Sequence, residues 1–166
     1  MASKAPRESK LKPHKRGKVV EKVKALIEGK TLVYVHPKAT VFEAAFLMSN
    51  ARIGAVVVLD DGKLVGIFTE RDLLNRVIVP CKDPKTTTIS DVMTPKVIVA
   101  DANQSGAKCL EIMKKAACRH LPIVEGDRLI GIVSIRDLQM HDIIEKDAEI
   151  RLMNYLYYYQ PPVLEE

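Results

Sequence analysis

Two short segments of the sequence combine residue types that can bind a phosphorylated sugar. One reads Gly-Ile-Phe-Thr-Glu-Arg-Asp at 66–72, and the other reads Gly-Ile-Val-Ser-Ile-Arg-Asp at 131–137. Each predicts a strand that runs into a helix, with the Thr or Ser at the helix N-cap, where unpaired backbone N–H groups favour an anion. The aspartate three residues later can accept hydrogen bonds from both hydroxyls of a ribose, and the arginine before it can donate to a phosphate.

The same spacing also has a purely structural interpretation. A Ser or Thr N-cap followed by a carboxylate at the third helical position is a capping box, which stabilises a helix start without any ligand. A single copy of the motif would favour that interpretation. Two copies, 65 residues apart and both with Arg-Asp, favour a pair of ligand sites.

An internal repeat organises the chain around these two motifs. A shift of 65 positions aligns residues 33–73 with 98–138 without a gap, and Arg-Asp-Leu at 71–73 recurs unchanged at 136–138. Each copy is expected to have the element order β-α-β-β-α, which is an α+β fold class. The two pseudo-symmetric units are expected to pack as one module, because neither has enough apolar surface to be stable alone.

The elements expected in each unit follow from apolar runs and capping residues. Short β-branched runs predict the first strands at 32–35 and 97–99. Thr40 and Ser105 predict the N-caps of helices at 41–51 and 106–117. The central strands are predicted from apolar runs at 55–59, 64–68 and 129–133, and Asp-Gly at 61–62 predicts a hairpin turn.

Composition and charge narrow the class of protein. The chain has 166 residues, 47% hydrophobic and 28% charged, and no apolar run of the roughly 18 residues that a membrane span needs. Its start lacks an apolar signal segment, and its three cysteines cannot all pair, so an intracellular and cytoplasmic location is expected. Residues 1–24 hold nine Lys or Arg against two Glu, so the net charge of +5 belongs to this tail.

Four segments are expected along the chain. They are a flexible basic tail at 1–17, a first unit at 18–79, a linker with the second unit at 80–145, and a C-terminal helix with a tyrosine-rich tail at 146–166. The basic tail can bind nucleic acid or be no more than a solvated extension. Four of the five tyrosines lie at 155 and 157–159, where they can face a partner chain or the chain's own body.

The sequence offers no set of residues for catalysis or for a resident metal. His14, His36 and His141 share no ligand spacing with Cys or acidic residues, so no metal site is predicted. A Mg²⁺ ion would arrive only with the phosphates of a ligand. Because no nucleophile–base pair emerges either, the chain is not expected to be an enzyme.

Two further segments make the pattern more specific. Ile-Ser-Asp-Val-Met-Thr at 89–94 precedes the second unit, and Arg-His-Leu-Pro-Ile-Val at 119–124 forms its central strand. Together with the two motifs, these segments resemble the cystathionine-β-synthase (CBS) domain family, as a stand-alone tandem pair over residues 18–145. The resemblance implies a non-catalytic module that binds AMP, ADP, ATP or a related adenosyl ligand, forms a homodimer and regulates an enzyme or transporter. The alternative is a nucleic-acid-binding protein that uses the basic tail, with the pair as its dimerisation body.

The resemblance also implies two pseudo-symmetric clefts between the units. The first cleft would contain Thr69, Arg71 and Asp72, closed by Arg119, His120 and Pro122, with Thr88, Ile89 and Met93 as its adenine wall. The second cleft would contain Ser134, Arg136 and Asp137, closed by Ile53, Gly54, Ala55 and Val56.

The two clefts are not expected to be equivalent. The first gathers Arg71, Arg119 and His120, whereas the second has Arg52 as its comparable base, unless Lys18 reaches it. The segment before the first unit lacks the Ile-Ser-Asp-Val-Met form and can be helical, which weakens the adenine wall of the second cleft. The first cleft is therefore predicted to be the main phosphate site.

The helices at 41–51 and 106–117 are also expected to matter for assembly. Once the two units pack together, part of each helix is expected to present an apolar face outward. A twofold homodimer would bury both faces.

Overall fold

The computed structural model of the chain describes residues 22–158, which form two three-stranded sheets and four α-helices. The strands are β1 (Tyr34–Val35), β2 (Ala55–Asp60) and β3 (Lys63–Thr69) in the first sheet, and β4 (Ala100–Asp101), β5 (His120–Glu125) and β6 (Arg128–Ser134) in the second. The helices are α1 (Val41–Ala51), α2 (Glu70–Leu73), α3 (Gly106–Ala116) and α4 (Ile135–Tyr158). A π-helical turn at Leu74–Ile78 extends α2, and 3-10 helices span Val23–Leu26 and Ile89–Asp91. The predicted α+β class and two-unit organisation are confirmed.

The two sheets repeat each other in detail. In each sheet, the first strand runs parallel to the second, and the second runs antiparallel to the third. Val58 pairs with Gly66, and 65 positions later Ile123 pairs with Gly131. A bulge follows at the same point of both sheets, so the repeat in the sequence is also a repeat of strand register.

Local signals place most of the predicted elements correctly. Thr40 caps α1, where its hydroxyl accepts from the Glu43 amide and the Glu43 carboxylate accepts from the Thr40 amide. The Asp-Gly turn at 61–62 has positive φ at both residues, as this type of hairpin turn requires. The strand predicted at 97–99 is wrong. Its last two residues are exposed, and the strand begins at Ala100 because that residue is the first to pair with β5.

The two units exchange their leading segments, which precede the first strand of each unit. Val23 and Ile27 precede β1 of the first unit, yet they are buried in the core of the second unit. Ile89 and Val92 precede β4 of the second unit and are buried in the core of the first. Because each core contains residues from the other unit's leading segment, the two units form one folded module, as the repeat predicts.

Equivalent hydrogen bonds hold the two exchanged segments. The Val23 amide donates to the Gln104 carbonyl at 2.8 Å, and the Ile89 amide donates to the Ala39 carbonyl at 2.8 Å. Each amide stands at the start of a short 3-10 helix. The segment before the first unit is thus helical at Val23–Leu26, as the sequence allows, and backbone hydrogen bonds to the second unit impose the same turn on a different sequence.

The outward faces of α1 and α3 differ in polarity. On α1, Phe42 and Phe46 are about half exposed, and their rings stack with centroids 6.5 Å apart. On α3, Glu111 occupies the position equivalent to Phe46 and binds Lys115 and Lys108, whose hydrogen bonds and charges lower its pKa to about 2. The prediction of an apolar outward face therefore holds for α1 and is wrong for α3.

The C-terminal segment continues the last helix of the second unit. Helix α4 runs without a break across residue 146, the boundary predicted between the second unit and the C-terminal segment. The basic tail at 1–17 and Tyr159 lie outside the described residues, as do the side chains of the tyrosines at 155, 157 and 158. In the part of the chain that is described, no helix combines the length and the apolar character needed to cross a membrane.

Candidate functional site

The two sequence motifs form capping boxes of the same geometry. In the first unit, the Thr69 hydroxyl accepts from the Asp72 amide at 3.2 Å, and the Asp72 carboxylate accepts from the Thr69 amide at 3.0 Å. In the second unit, Ser134 and Asp137 make the same two hydrogen bonds at 3.2 Å and 2.7 Å. Both motifs therefore cap helices, and the difference between them lies in what else each aspartate contacts.

In the first unit, Asp72 is covered by its neighbours. Its side chain is 12% exposed, and its Oδ1 atom lies 3.4 Å from Arg76 Nε and 3.4 Å from Thr94 Oγ1. Arg76 is held in place, because its Nη1 donates to the carbonyls of Val92 and Met93 at 2.9 Å and 2.6 Å. The carboxylate of Asp72 is thus engaged within the fold and offers little to a ligand.

In the second unit, Asp137 is more accessible. Its side chain is 34% exposed, its Oδ2 atom accepts from Ser134, and its Oδ1 atom accepts from Lys30 Nζ at 2.8 Å. Burial disfavours the charge on Asp137, but the hydrogen bonds from Lys30 and Ser134 outweigh this effect and lower the pKa of the carboxyl. Asp137 is therefore an ionised acceptor at neutral pH.

The exchanged segments lie over the glycine of each motif. Met93 packs against Gly66 in β3, and Ile27 packs against Gly131 in β6. A Cβ atom on Gly131 would lie 2.8 Å from Ile27 Cδ1, so the glycine permits this close approach. Ile27 thus takes, in the second cleft, the position that Met93 takes in the first.

A cavity of about 660 Å³ lies beside Asp137, between the two units. This volume is within the range of small-molecule binding sites. The lining comes from the segment before β1, from strands of both units and from the start of α4. It consists of Ile27, Lys30, Thr31, Leu32, Val33, Arg52, Ile53, Gly54, Ala55, Glu70, Arg119, His120, Gly131, Ile132, Val133, Ser134, Ile135, Arg136 and Asp137.

The cavity brings together most of the residues expected in the second cleft. These are Ser134, Arg136 and Asp137 on one side and Ile53, Gly54 and Ala55 on the other. Arg119 and His120, which the sequence assigns to the first cleft, also line it. The reason is that His120 pairs with Ser134 in the β5–β6 ladder, so these residues lie beside the motif of their own unit.

The remaining predicted site residues lie elsewhere. Residues that do not border this cavity are Thr69, Arg71, Asp72, Thr88, Ile89, Met93, Pro122 and Val56. Of these, Val56 and Pro122 are buried within the central strands of their sheets. The described cavity therefore lies at the second cleft, whereas the sequence predicts the first cleft as the main phosphate site.

His120 lies where the two units meet. A Cβ atom placed on Gly54 would lie 3.2 Å from the His120 ring and 3.1 Å from a carboxylate oxygen of Glu70. Gly54, Glu70 and His120 are therefore close neighbours. Burial lowers the pKa of His120, and the charge of Arg119 lowers it further, against the opposite effects of Glu70 and Asp137. The imidazole is therefore mainly uncharged at neutral pH and can both donate and accept a hydrogen bond.

The lining of the cavity carries an excess of positive charge. Its charged side chains are the cations Lys30, Arg52, Arg119 and Arg136 and the carboxylates Glu70 and Asp137. With His120 uncharged, the excess suits a ligand that has an anionic group. Sequence reasoning missed Lys30 and Glu70. Lys30 belongs to no motif, and the sequence feature that could have indicated its role is its position between the exchanged segment and β1.

Comparison with known proteins identifies the family. Two stretches of the chain, residues 23–79 and 89–142, match the family model of the CBS domain. Together they cover more than half of the 166 residues. The chain belongs to the CBS domain family. It is a CBS domain pair, and such pairs are regulatory, ligand-binding modules.

Relatives of this CBS pair support the same assignment. The CBS domain-containing protein YhcV of Bacillus subtilis is 33% identical over 120 residues, which are 72% of this chain and 85% of YhcV. The crystal structure of the CBS-domain containing protein ATU1752 from Agrobacterium tumefaciens is similar, with a TM-score of 0.69 and 38% identity over 74% of this chain and 99% of that one.

A second similar structure carries ligands. It is the CBS domain pair of protein MJ0100 in complex with 5′-methylthioadenosine and S-adenosyl-L-methionine. The TM-score is 0.68 and the identity is 27%, over 76% of this chain and 98% of that one. Both ligands of MJ0100 are adenosine derivatives.

Proposed function

We propose that this CBS pair is a non-catalytic regulatory module that binds an adenosine ligand beside Asp137 and thereby modulates a partner enzyme or transporter. The placement of Asp137 carries the proposal. Its ionised carboxylate is fixed by Ser134 and borders a cavity of about 660 Å³ between the two units. A carboxylate in that position suits a hydroxyl of a ribose, as acidic residues do in other nucleotide sites. The adenosine ligands of MJ0100 support the same ligand class.

The nucleophilic side chains near the cavity support a binding role over a catalytic one. The Ser134 hydroxyl donates to Asp137 at 2.6 Å and accepts from the Asp137 amide, so it is committed to the capping box. Neither Cys118 nor Cys109 lines the cavity, and burial raises the pKa of both thiols, which favours their protonated form. A Mg²⁺ ion, if one takes part, would enter with the phosphates of the ligand.

Calorimetric titration tests the proposed function. The full chain is expected to bind at least one of AMP, ADP, ATP, S-adenosylmethionine and 5′-methylthioadenosine, with one ligand per chain in the cavity beside Asp137. The same ligand is expected to raise the melting temperature, because it binds only the folded state. Guanosine monophosphate at equal concentration serves as the control for base selectivity. Absence of heat and of any thermal shift for all five adenosine ligands at millimolar concentration would refute the proposal.

We also propose that the module forms a homodimer through the first unit. On α1, Phe42, Phe46 and Leu47 are exposed. Ile78, the last residue of the π-helical turn, and Val79, which follows it, are 53% and 69% exposed. Met48 of α1 and Val77 of the π-helical turn are buried in the core of the first unit, so these exposed side chains belong to neighbouring elements of one unit. Apolar surface of this kind is usually buried in an interface.

Substitution of Phe46 tests this interface. We expect light scattering of the wild type at micromolar concentration to give twice the chain mass of 18.5 kDa. Phe46→Glu is expected to give the single chain mass, because two unpaired carboxylates would be buried at a twofold contact. Lys114→Glu on α3 is the matched control and is expected to remain dimeric. A monomeric wild type, or dissociation by the control alone, would contradict an interface formed by α1.

A further inference from the structure

The ion pair between Lys30 and Asp137 occupies the acceptor that the proposed ligand needs. Lys30 Nζ lies 2.8 Å from Asp137 Oδ1, and both residues line the cavity. The Oδ2 atom of the same carboxylate already accepts from the amide and the hydroxyl of Ser134, at 2.7 Å and 2.6 Å. A ribose hydroxyl must therefore reach Asp137 at Oδ1, where the ammonium group of Lys30 is already bound.

Lys30 differs from the cation that contacts the aspartate of the first unit. Arg76 is fixed by the carbonyls of Val92 and Met93, as described above. The side chain of Lys30 is 51% exposed, and its hydrogen-bonding partner within the described residues 22–158 is Asp137. A half-exposed lysine on a flexible four-carbon stem can change partners at little cost.

The charges around Lys30 indicate what it would bind instead. The lining of the cavity has two more cations than carboxylates, and the pairing of Lys30 with Asp137 leaves Arg52, Arg119 and Arg136 facing one further carboxylate, Glu70. A 5′-phosphate with nearly two negative charges would balance this excess and would attract Lys30 away from Asp137. An uncharged nucleoside offers no such replacement and must compete with Lys30 for the Oδ1 atom.

We infer that Lys30 determines the specificity of this site, in that it favours a phosphorylated adenosine ligand and disfavours an unphosphorylated one. The inference rests on the proposed function, since it concerns the same cavity. When a phosphate is present, Lys30 transfers its hydrogen bond to the phosphate and exposes Asp137 to the ribose. When no phosphate is present, Lys30 stays on Asp137 and blocks the ribose.

Titration of three proteins with AMP and with adenosine tests this role. The wild type is expected to bind AMP more tightly than adenosine. Lys30→Ala is expected to lower the affinity for AMP by about tenfold, because a charge-assisted hydrogen bond is lost. It is expected to raise the affinity for adenosine by roughly two- to fivefold, because Asp137 is uncovered. The two ligands should therefore change in opposite directions.

Lys24→Ala is the matched control. Lys24 lies in the same segment and pairs with Glu125 of the second unit at 2.7 Å, with a similar exposure of 45%, yet it does not line the cavity. Its removal is expected to leave both affinities within about twofold of the wild type, with a comparable melting temperature. Equal changes for AMP and adenosine in Lys30→Ala, or no change in either, would overturn the role of Lys30. A wild type that binds S-adenosylmethionine or 5′-methylthioadenosine but not AMP would overturn the preference for a phosphate, whereas a wild type that binds none of the adenosine ligands would overturn the proposed function itself.

Discussion

Replacing Asp137 with alanine is expected to weaken AMP binding by about ten- to hundredfold. The substitution removes the carboxylate that accepts hydrogen bonds from the ribose, and a lost hydrogen bond to a charged group costs about 1.5–3 kcal/mol. It also leaves Lys30 without its acceptor in the cavity. Asp137→Asn should lose part of the same affinity while keeping an oxygen that can cap the start of α4. Calorimetric titration of folded protein, verified by circular dichroism, measures both effects.

Asp72→Ala is the matched variant in the first unit. Asp72 makes the same capping box but does not line the cavity, so its loss is expected to change AMP affinity by no more than about twofold. Its main effect should be on stability, because Thr94 and Arg76 lose an acceptor together with the cap. If Asp72→Ala abolished AMP binding in a folded protein while Asp137→Ala did not, the main site would be the first cleft.

The fold was largely predictable from the sequence because its signals are local. Thr40 and Ser105 mark helix starts through hydrogen bonds to amides three residues away. The Asp-Gly turn fixes the first hairpin through the positive φ angles of its own two residues. The repeat then requires that both halves adopt the same order of elements. The position of β4 was missed, since a β-branched run does not show which of its residues will meet the neighbouring strand.

The difference between the two clefts was not predictable in the same way. The motif residues are equally spaced in both units, and the capping boxes they form are the same. The two aspartates differ in their contacts with residues that are distant in the sequence. Asp72 contacts Thr94, 22 positions away, whereas Asp137 contacts Lys30, 107 positions away. Such contacts depend on tertiary structure, and no pattern within either motif encodes them.

The structure of the leading segment of the first unit also depends on tertiary contacts that its own sequence does not reveal. Its sequence differs from that of the segment before the second unit, and the difference suggested a different structure. The turn is nevertheless the same, because it is set by amides of Val23 and Lys24 that donate to carbonyls of Gln104 and Ala102 in the second unit. Backbone hydrogen bonds of this kind form with almost any side chain at the donor residue, whereas the apolar contacts of Ile27 require an apolar side chain.

Ile27→Ala is accordingly expected to destabilise the second unit, although residue 27 belongs to the leading segment of the first unit. Ile27 is 6% exposed and packs in the second core against Gly131, so its truncation should leave a cavity and lower the free energy of unfolding by about 2–4 kcal/mol. Because each unit's core contains the other's leading segment, both sheets are expected to unfold in one transition, shifted to lower urea concentration.

The neighbouring substitution Glu28→Ala provides the control for Ile27→Ala. Glu28 is exposed in the same segment, so its removal is expected to change the free energy of unfolding by less than about 0.5 kcal/mol. Urea unfolding followed by circular dichroism compares the two variants with the wild type. An Ile27→Ala protein as stable as Glu28→Ala would show that the leading segment is not part of the second core. Two separate transitions in the wild type would show that the exchange of segments does not couple the units.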